Sequence, residues 1–397
     1  MAHERDGALA KVIYLDNCAT TPLDPIAARE LTRVAAECFG NPSSIHAVGR
    51  CAARELDAAR GALAETVGAK PSEIVFTSSG TEANNFVIAS VVHAAVSRGE
   101  RVHIVTSAVE HASVLKRLEY EIREHGDRVE VTYVGVDSVG RVRLDELRRA
   151  IRDETRLISI LHCNNETGTL QDLHALSALR LAYPQVLLHL DIVQSYTKVP
   201  FDVRIYPADF LTVSGHKVYG PKGIGFVYVR QGTPVEPLLV GGAQERFRRG
   251  GTENVPAAAA FAAAVRSIPP HTELAARYAH FERTFFAKLD EEGCEYRLNG
   301  PADHERRLPG IFNISFRGIA NKEDLLVACD LEGVMVSSTS ACHSGVVSDS
   351  HVLAAMGVPE TERRGAIRVA FNKFHREEDV AEAARLIARC AKRVAVR

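Results

Sequence analysis

Thr212-Val-Ser-Gly-His-Lys217-Val-Tyr-Gly-Pro-Lys-Gly-Ile-Gly225 is the stretch from which the rest of the chain is read. The apolar run 208–213 delivers the chain to Ser214, His216 and Lys217, and Gly220, Gly223 and Gly225 then allow tight turns and close backbone approach to a ligand. A lysine just past a buried strand, among hydroxyl and imidazole donors, suits an amine that must lose its proton and attack a carbonyl. Arginine far outnumbers lysine in this chain, so a lysine kept in this setting is more than surface filler.

On both sides of this stretch, short apolar runs alternate with amphipathic segments. Strands are expected at 73–77, 102–106, 129–134, 157–162, 186–191, 208–213 and 225–230. Helices are expected between the first five, at 82–97, 112–125, 144–151 and 173–183. Continuously apolar strands separated by helices predict an α/β fold whose mainly parallel, seven-stranded sheet is covered on both faces. Ligands gather at the carboxyl ends of such strands. Upstream, Asp24-Pro25 opens a helix, and a second helix spans 47–67 after the loop Phe39-Gly-Asn-Pro-Ser-Ser-Ile-His46. The pattern changes near Pro269. Residues 14–268 are expected to form a large domain, and residues 269–397, joined by 1–13, a smaller α/β domain.

Composition excludes several classes. The chain has 397 residues, 46% hydrophobic and 25% charged, with a net charge of -2. That balance gives no reason to expect a nucleic-acid or membrane partner. Its longest apolar run, 255–265, is too short and Ala-rich to span a bilayer. The first seven residues lack an apolar signal region. Eight cysteines lie far apart without a Cys-x-x-Cys pair, so reduced thiols in a cytoplasmic compartment are expected, with neither a disulfide framework nor a metal site.

Chemistry concentrates where strands end. Ser78-Ser-Gly80-Thr81-Glu82 offers backbone N–H groups and a helix start to a phosphate, and serves equally as a helix cap. His111 could stack on a flat ring and shuttle protons, or hold structure. Asn164-Asn165 would hydrogen-bond ligand oxygens or form a turn. Asp191 closes an apolar run and needs a cation or donor, which a protonated pyridine nitrogen would supply, and Gln194 follows it. One β-α-β step separates Asp191 from Lys217, so both groups can meet one ring. The Gly- and Arg-rich loop 241–254 reads as a solvated basic loop, an anion site or a subunit bridge. In Ser337-Ser-Thr-Ser-Ala-Cys342-His-Ser-Gly345, small polar neighbours make Cys342 a candidate nucleophile.

Taken together, Tyr14-Leu-Asp-Asn-Cys-Ala-Thr-Thr-Pro22, Phe39-Gly-Asn-Pro-Ser-Ser, Asn164-Asn-Glu-Thr-Gly168, Ser214-Gly-His-Lys217, Ser337-Ser-Thr-Ser-Ala-Cys342 and Ile367-Arg368 resemble the cysteine desulfurases. These are pyridoxal phosphate (PLP) enzymes of fold type I in the class V aminotransferase superfamily. Gln244-Glu-Arg246 and Gly251-Thr-Glu-Asn254 are also similar to selenocysteine lyase. The resemblance implies that Lys217 holds PLP as a Schiff base and then acts as a base. It implies that Asp191 pairs with the ring nitrogen, Gln194 with the ring hydroxyl, and that His111 stacks on the ring. Gly80, Thr81, Ser214 and His216 would hold the phosphate, and Thr252 would reach the phosphate of the other subunit of a homodimer. Asn165 and Arg368 would orient L-cysteine or L-selenocysteine, and Cys342 would take the sulfur as a persulfide for an unidentified acceptor. Ala370, Asn372 and Lys373 depart from the hydroxyl, Gly and Arg that usually follow Arg368, and Cys18 is an unusual turn residue.

Overall fold

The computed structural model describes residues 12–338 and 349–395, with the backbone alone at 4–5 and 8–9. Strands β1 (Glu4–Arg5) and β2 (Ala8–Leu9) form a small antiparallel pair. After β3 (Ile13–Tyr14) come α1 (Pro25–Glu37) and α2 (Ala47–Glu65). The start of α1 is as the sequence predicts: Asp24 Oδ1 accepts from the Ile26 amide at 2.6 Å, and Pro25, which has no N–H to satisfy, follows it.

The central sheet is built from β4 (Ile74–Thr77), β5 (Val102–Ser107), β6 (Val129–Val134), β7 (Thr155–Leu161), β8 (Leu187–Asp191), β9 (Phe210–Ser214) and β10 (Gly225–Val229). Between them run α3 (Gly80–Ser97), α4 (Ala112–His125), α5 (Leu144–Ala150) and α6 (Leu173–Ala182). The strand order is β4-β10-β9-β8-β7-β5-β6, with β10 antiparallel to both neighbours and the other pairs parallel. β10 runs backwards because residues 215–224 form a hairpin, with the Gly215 amide donating to the Ile224 carbonyl at 3.0 Å. The sheet strands other than β6 are continuously buried or nearly so, which is why their apolar runs are legible. Two buried histidines bridge neighbouring strands: His189 bonds Ser159 at 2.9 Å and Thr212 at 3.0 Å, and His103 bonds Thr155 and Thr132. Burial pushes the His189 imidazole down to about 3, so it works as a neutral connector.

Helix α7 (Val255–Arg266) is buried from Val255 to Val265 apart from Pro256, which explains its alanines: small side chains let it lie close under α1 and α2. The chain then forms α8 (His271–Glu291), β11 (Tyr296–Asn299), β12 (Ile311–Phe316), α9 (Lys322–Leu331), β13 (Val334–Met335), α10 (His351–Ala355), α11 (Glu360–Arg363), β14 (Ala366–Ala370) and α12 (Glu377–Val394). A second apolar core gathers α8, β12, α9, β14 and α12 together with Ile13 and Leu15, and β3 pairs in parallel with β13. β11, half exposed and carrying Arg297, shows no apolar run and was not expected. No helix among the described residues is long and apolar enough to cross a membrane.

One expectation is corrected. Cys38 and Cys51 are joined, with Cα atoms 5.4 Å apart, whereas all thiols were expected to be reduced. They lie 13 positions apart in sequence, but the turn between α1 and α2 folds the start of one helix back onto the end of the other. Cys18, Cys163, Cys294, Cys329 and Cys390 are free.

Candidate active site

Strands β8 and β9 end side by side, and that adjacency creates the site. Asp191, the last residue of β8, is 2% exposed. Its Oδ2 accepts from Asn84 Nδ2 at 2.8 Å, and its Oδ1 from the Val193 amide at 3.0 Å. Asn84 Nδ2 also reaches Ser113 Oγ at 2.8 Å, and Ser113 Oγ lies 2.8 Å from His111 Nδ1. His111 caps α4 by accepting from the Ser113 amide at 3.1 Å. Burial pushes the Asp191 carboxyl up and the His111 imidazole down.

Lys217 follows from β9 on a single tight turn. Its Nζ donates to the Cys18 carbonyl at 2.6 Å and the Ala19 carbonyl at 2.7 Å. Desolvation pushes its ammonium down to about 8, with the charges of Arg368 and Lys198 acting in the same direction. His216 is pushed down to about 4 by burial, and its Nδ1 lies 3.1 Å from Thr20 Oγ1.

Between these groups is a cavity of about 200 Å³. Lys217, Asp191, Gln194 and His111 line it, together with Ser214, His216, Gly80, Thr81 and Asn165. One wall is the N-terminus of α3, capped by Ser79. A Cβ on Gly80 would stand 3.1 Å from Val193 Cγ2 and 3.4 Å from Ser214 Cβ, so glycine keeps this wall open. Three buried polar atoms of residues lining the cavity have no partner: Ser214 Oγ, Gln194 Oε1 and Asn84 Oδ1. Orphaned buried groups of this kind mark where a polar ligand belongs.

A larger cleft of about 970 Å³ adjoins the cavity and shares Lys217, His111, Thr81 and Asn165 with it. Arg368 enters there from β14. Its Nη2 donates to Asp16 Oδ1 at 2.6 Å and Ser337 Oγ at 3.1 Å, its Nη1 to the Asn165 carbonyl at 3.2 Å, and its buried Nε has no partner. Cys342 lies outside the described residues, but Ser337 and Ser338 before that segment and Asp349, Ser350 and His351 after it all line this cleft. Thr252 is exposed and lines neither space. The model matching residues 13–382 is that of aminotransferase class V.

The chain belongs to the aminotransferase class-V family. It is 40% identical over 384 residues to the "Putative cysteine desulfurase IscS 1" of Bacillus subtilis (strain 168), covering 96% of this chain and 99% of that protein. It is 39% identical over 375 residues to the "Cysteine desulfurase IscS" of Methanosarcina thermophila, covering 93% and 89%. Among solved structures, a "NIFS-LIKE PROTEIN" superposes with a TM-score of 0.87 at 34% identity, over 96% of this chain and 99% of that one. "SspA in complex with cysteine" superposes with a TM-score of 0.79 at 32% identity, over 90% and 98%.

Several residues of this class-V site escaped the sequence reading. Asn84 was missed although asparagine is a poor helix former, and one inside a buried helix is itself a signal. Ser113, Asp16 and Ser337 carry hydrogen bonds that no spacing announces. Glu110 and Glu166 line the larger cleft, and burial pushes them up to about 8 and about 7. Glu110 accepts from Ser107 Oγ at 2.5 Å, and Glu166 from Ser350 Oγ at 2.5 Å, so Glu166 anchors the far end of the Cys342 segment. The departures after Arg368 leave the cavity untouched. Lys373 instead bonds Asp24 and, at 2.7 Å, Ser267 Oγ, tying β14 to α1 and α7. Cys18 serves through its carbonyl, which receives both Lys217 and, at 3.1 Å, Gln194 Nε2.

Proposed function

We propose that the protein is a PLP-dependent cysteine desulfurase that converts L-cysteine to L-alanine and leaves the sulfur as a persulfide on Cys342. One observation carries the reading: a desolvated lysine and a fully buried carboxylate face one small cavity whose far wall is a helix N-terminus. The residues present fit PLP. Asp191 would hold a proton on the ring nitrogen, and Gln194, whose Oε1 is free, would meet the ring hydroxyl. Thr81, the backbone at Gly80, Ser214 Oγ and His216 would hold the phosphate at the positive end of α3. When bound, PLP supplies an aldehyde carbon for amines and an electron sink for carbanions.

The chain's own residues do the rest. Lys217 Nζ would hold the cofactor's aldehyde carbon and, once free, would take a proton from the substrate Cα. Arg368 receives the substrate carboxylate through its planar fork, beside Asn165. His111, held neutral by burial, would cover the ring and relay protons. Cys342 attacks the substrate sulfur as a thiolate. The S–S bond forms as the C–S bond breaks, the electron pair stays with carbon, and protonation of that carbon completes alanine. Cysteine plus one thiol thus becomes alanine plus one persulfide.

A homodimer belongs to the proposal. The loop carrying Thr252 is pinned from beneath: Glu245 takes both Arg60 amino groups at 2.7 and 2.8 Å, and Arg249 bonds Glu82 at 2.7 Å. Above these anchors, Val240 and Phe247 stand 87% and 73% exposed. A partner subunit covering them would bring Thr252 to its own phosphate site.

The direct test is to supply L-cysteine, with and without added PLP, and measure alanine and sulfide. Cofactor-dependent alanine is expected, and a keto acid in its place would contradict the reading. L-selenocysteine run in parallel decides the rival selenocysteine lyase: a chain that ignores cysteine and acts on its selenium analogue is that enzyme. Two further results are expected. Arg368→Lys keeps the charge but loses the fork, so KM for cysteine should rise roughly tenfold, about 1.4 kcal/mol, with a smaller change in kcat. Capture of PLP by the apoenzyme requires neutral Lys217. Its borohydride-trapped rate should climb about tenfold per pH unit below 8 and level off above it, whereas a rate still climbing toward the ordinary lysine range of about 10.4 would contradict the desolvated amine.

A further inference from the structure

The opposite ends of α3 and α4 carry a second cluster that the class-V chemistry does not use. His93 lies 13 residues beyond Gly80 on α3, which places it about 20 Å down the helix from the phosphate wall. There it meets Glu121 and His125 near the C-terminus of α4. One donor atom from each of the three residues falls within 4.8 Å of the others. His125 Nε2 is 3.2 Å from Glu121 Oε2, and His93 Nε2 is 3.8 Å from Glu121 Oε1. The two rings meet edge to face, with centroids 5.8 Å apart.

Glu121 is the unusual member. Its side chain is fully buried, and its two oxygens are treated differently. Oε1 accepts from Arg117 Nη2, while Oε2 has no hydrogen-bond partner. A buried carboxylate oxygen left without a partner is costly. Here Oε2 faces His125 Nε2 at 3.2 Å, His93 Nε2 stands 3.8 Å from the carboxylate's other oxygen, and one donor atom of each residue lies within 4.8 Å of the others. Metal–ligand bonds of about 2.0–2.2 Å in a tetrahedron put neighbouring ligand atoms roughly 3.3–3.6 Å apart. The imidazoles are 43% and 24% exposed, which leaves an outer position open for water.

We infer that His93, Glu121 and His125 form a site for a divalent transition ion of the zinc class, which clamps α3 to α4. Imidazole donors select zinc, cobalt or nickel over magnesium and calcium. Arg117, by holding Oε1, fixes the carboxylate so that Oε2 faces the ion, the arrangement expected of an outer partner to a ligand. The negative ends of two helix dipoles converge on the same spot and favour a cation there. Only Glu121 and His125 sit at helical i,i+4 spacing. His93 comes from another helix, so spacing along the chain does not announce the trio.

The test is a titration of the holoenzyme with cobalt(II), followed by its visible ligand-field bands, in a Cys342→Ser background that removes the one thiol proposed to be reactive. Binding of one equivalent, displaced by zinc, is expected. His93→Ala/His125→Ala, which alters two partly exposed side chains, should weaken that binding by at least about 100-fold. In the presence of Cys342, the same pair of substitutions should leave alanine production from cysteine intact. The ion should also raise the melting temperature of the chain with both histidines and not that of the pair variant. Equal cobalt binding by both proteins, or no stoichiometric binding by either, would overturn the site. Alanine production is a separate readout, so failure of the metal site and failure of the desulfurase reading are distinguishable.

Discussion

Lys217→Ala is expected to yield a folded protein without the visible absorption of a covalently held cofactor and with alanine production down by roughly a thousandfold or more. Two losses combine in this variant. On the proposed reading, the amine that would anchor the cofactor is gone, and so is the base that would move the substrate proton. The fold should survive, because Lys217 Nζ contributes only two hydrogen bonds to backbone carbonyls of the turn at Cys18 and Ala19. Removing a desolvated ammonium relieves a burial penalty at the same time. The melting temperature should therefore stay close to that of the parent apoenzyme. Added alkylamines should restore part of the proton transfer, which a merely structural lysine would not permit. An unchanged turnover would remove the lysine from the reaction.

Cys342→Ser should separate binding from sulfur transfer. The serine hydroxyl does not ionise near neutral pH and is a poor nucleophile toward sulfur, so alanine release from cysteine should fall by roughly a thousandfold or more. Cofactor absorption should remain, because the residues lining the cavity are untouched. Cysteine should still perturb that absorption, since Arg368 and Asn165 remain in place to receive it. A labelled persulfide should be lost from the peptide carrying position 342. Undiminished turnover of cysteine in this variant, with a keto acid in place of alanine, would point to an ordinary transamination.

The parts of this molecule that were legible in the sequence share a physical cause. Strands buried on both faces are mostly apolar, so β4, β5, β7, β8, β9 and β10 stand out as runs, and the polar residues that close two of them, Asp191 and Ser214, mark carboxyl ends. What periodicity reports is burial, not partnership. The strand order, and the reversal of β10, depend on a hairpin whose direction the apolar pattern does not encode. Asn84, Ser113 and Asp16 reach the site from positions distant in the chain, and their value lies in hydrogen bonds made only after folding. The pairing of Cys38 with Cys51 has the same origin, since two helices must first turn back on each other. β11 was invisible because an edge strand with alternating exposure carries little apolar signal.

The most direct measurement is to reduce the PLP-loaded enzyme with borohydride, digest it and locate the modified lysine by mass spectrometry. The expected result is one pyridoxyl phosphate group per chain, on the peptide that contains Lys217. A modification on any other lysine, or none after loading with PLP, would contradict the account at its root.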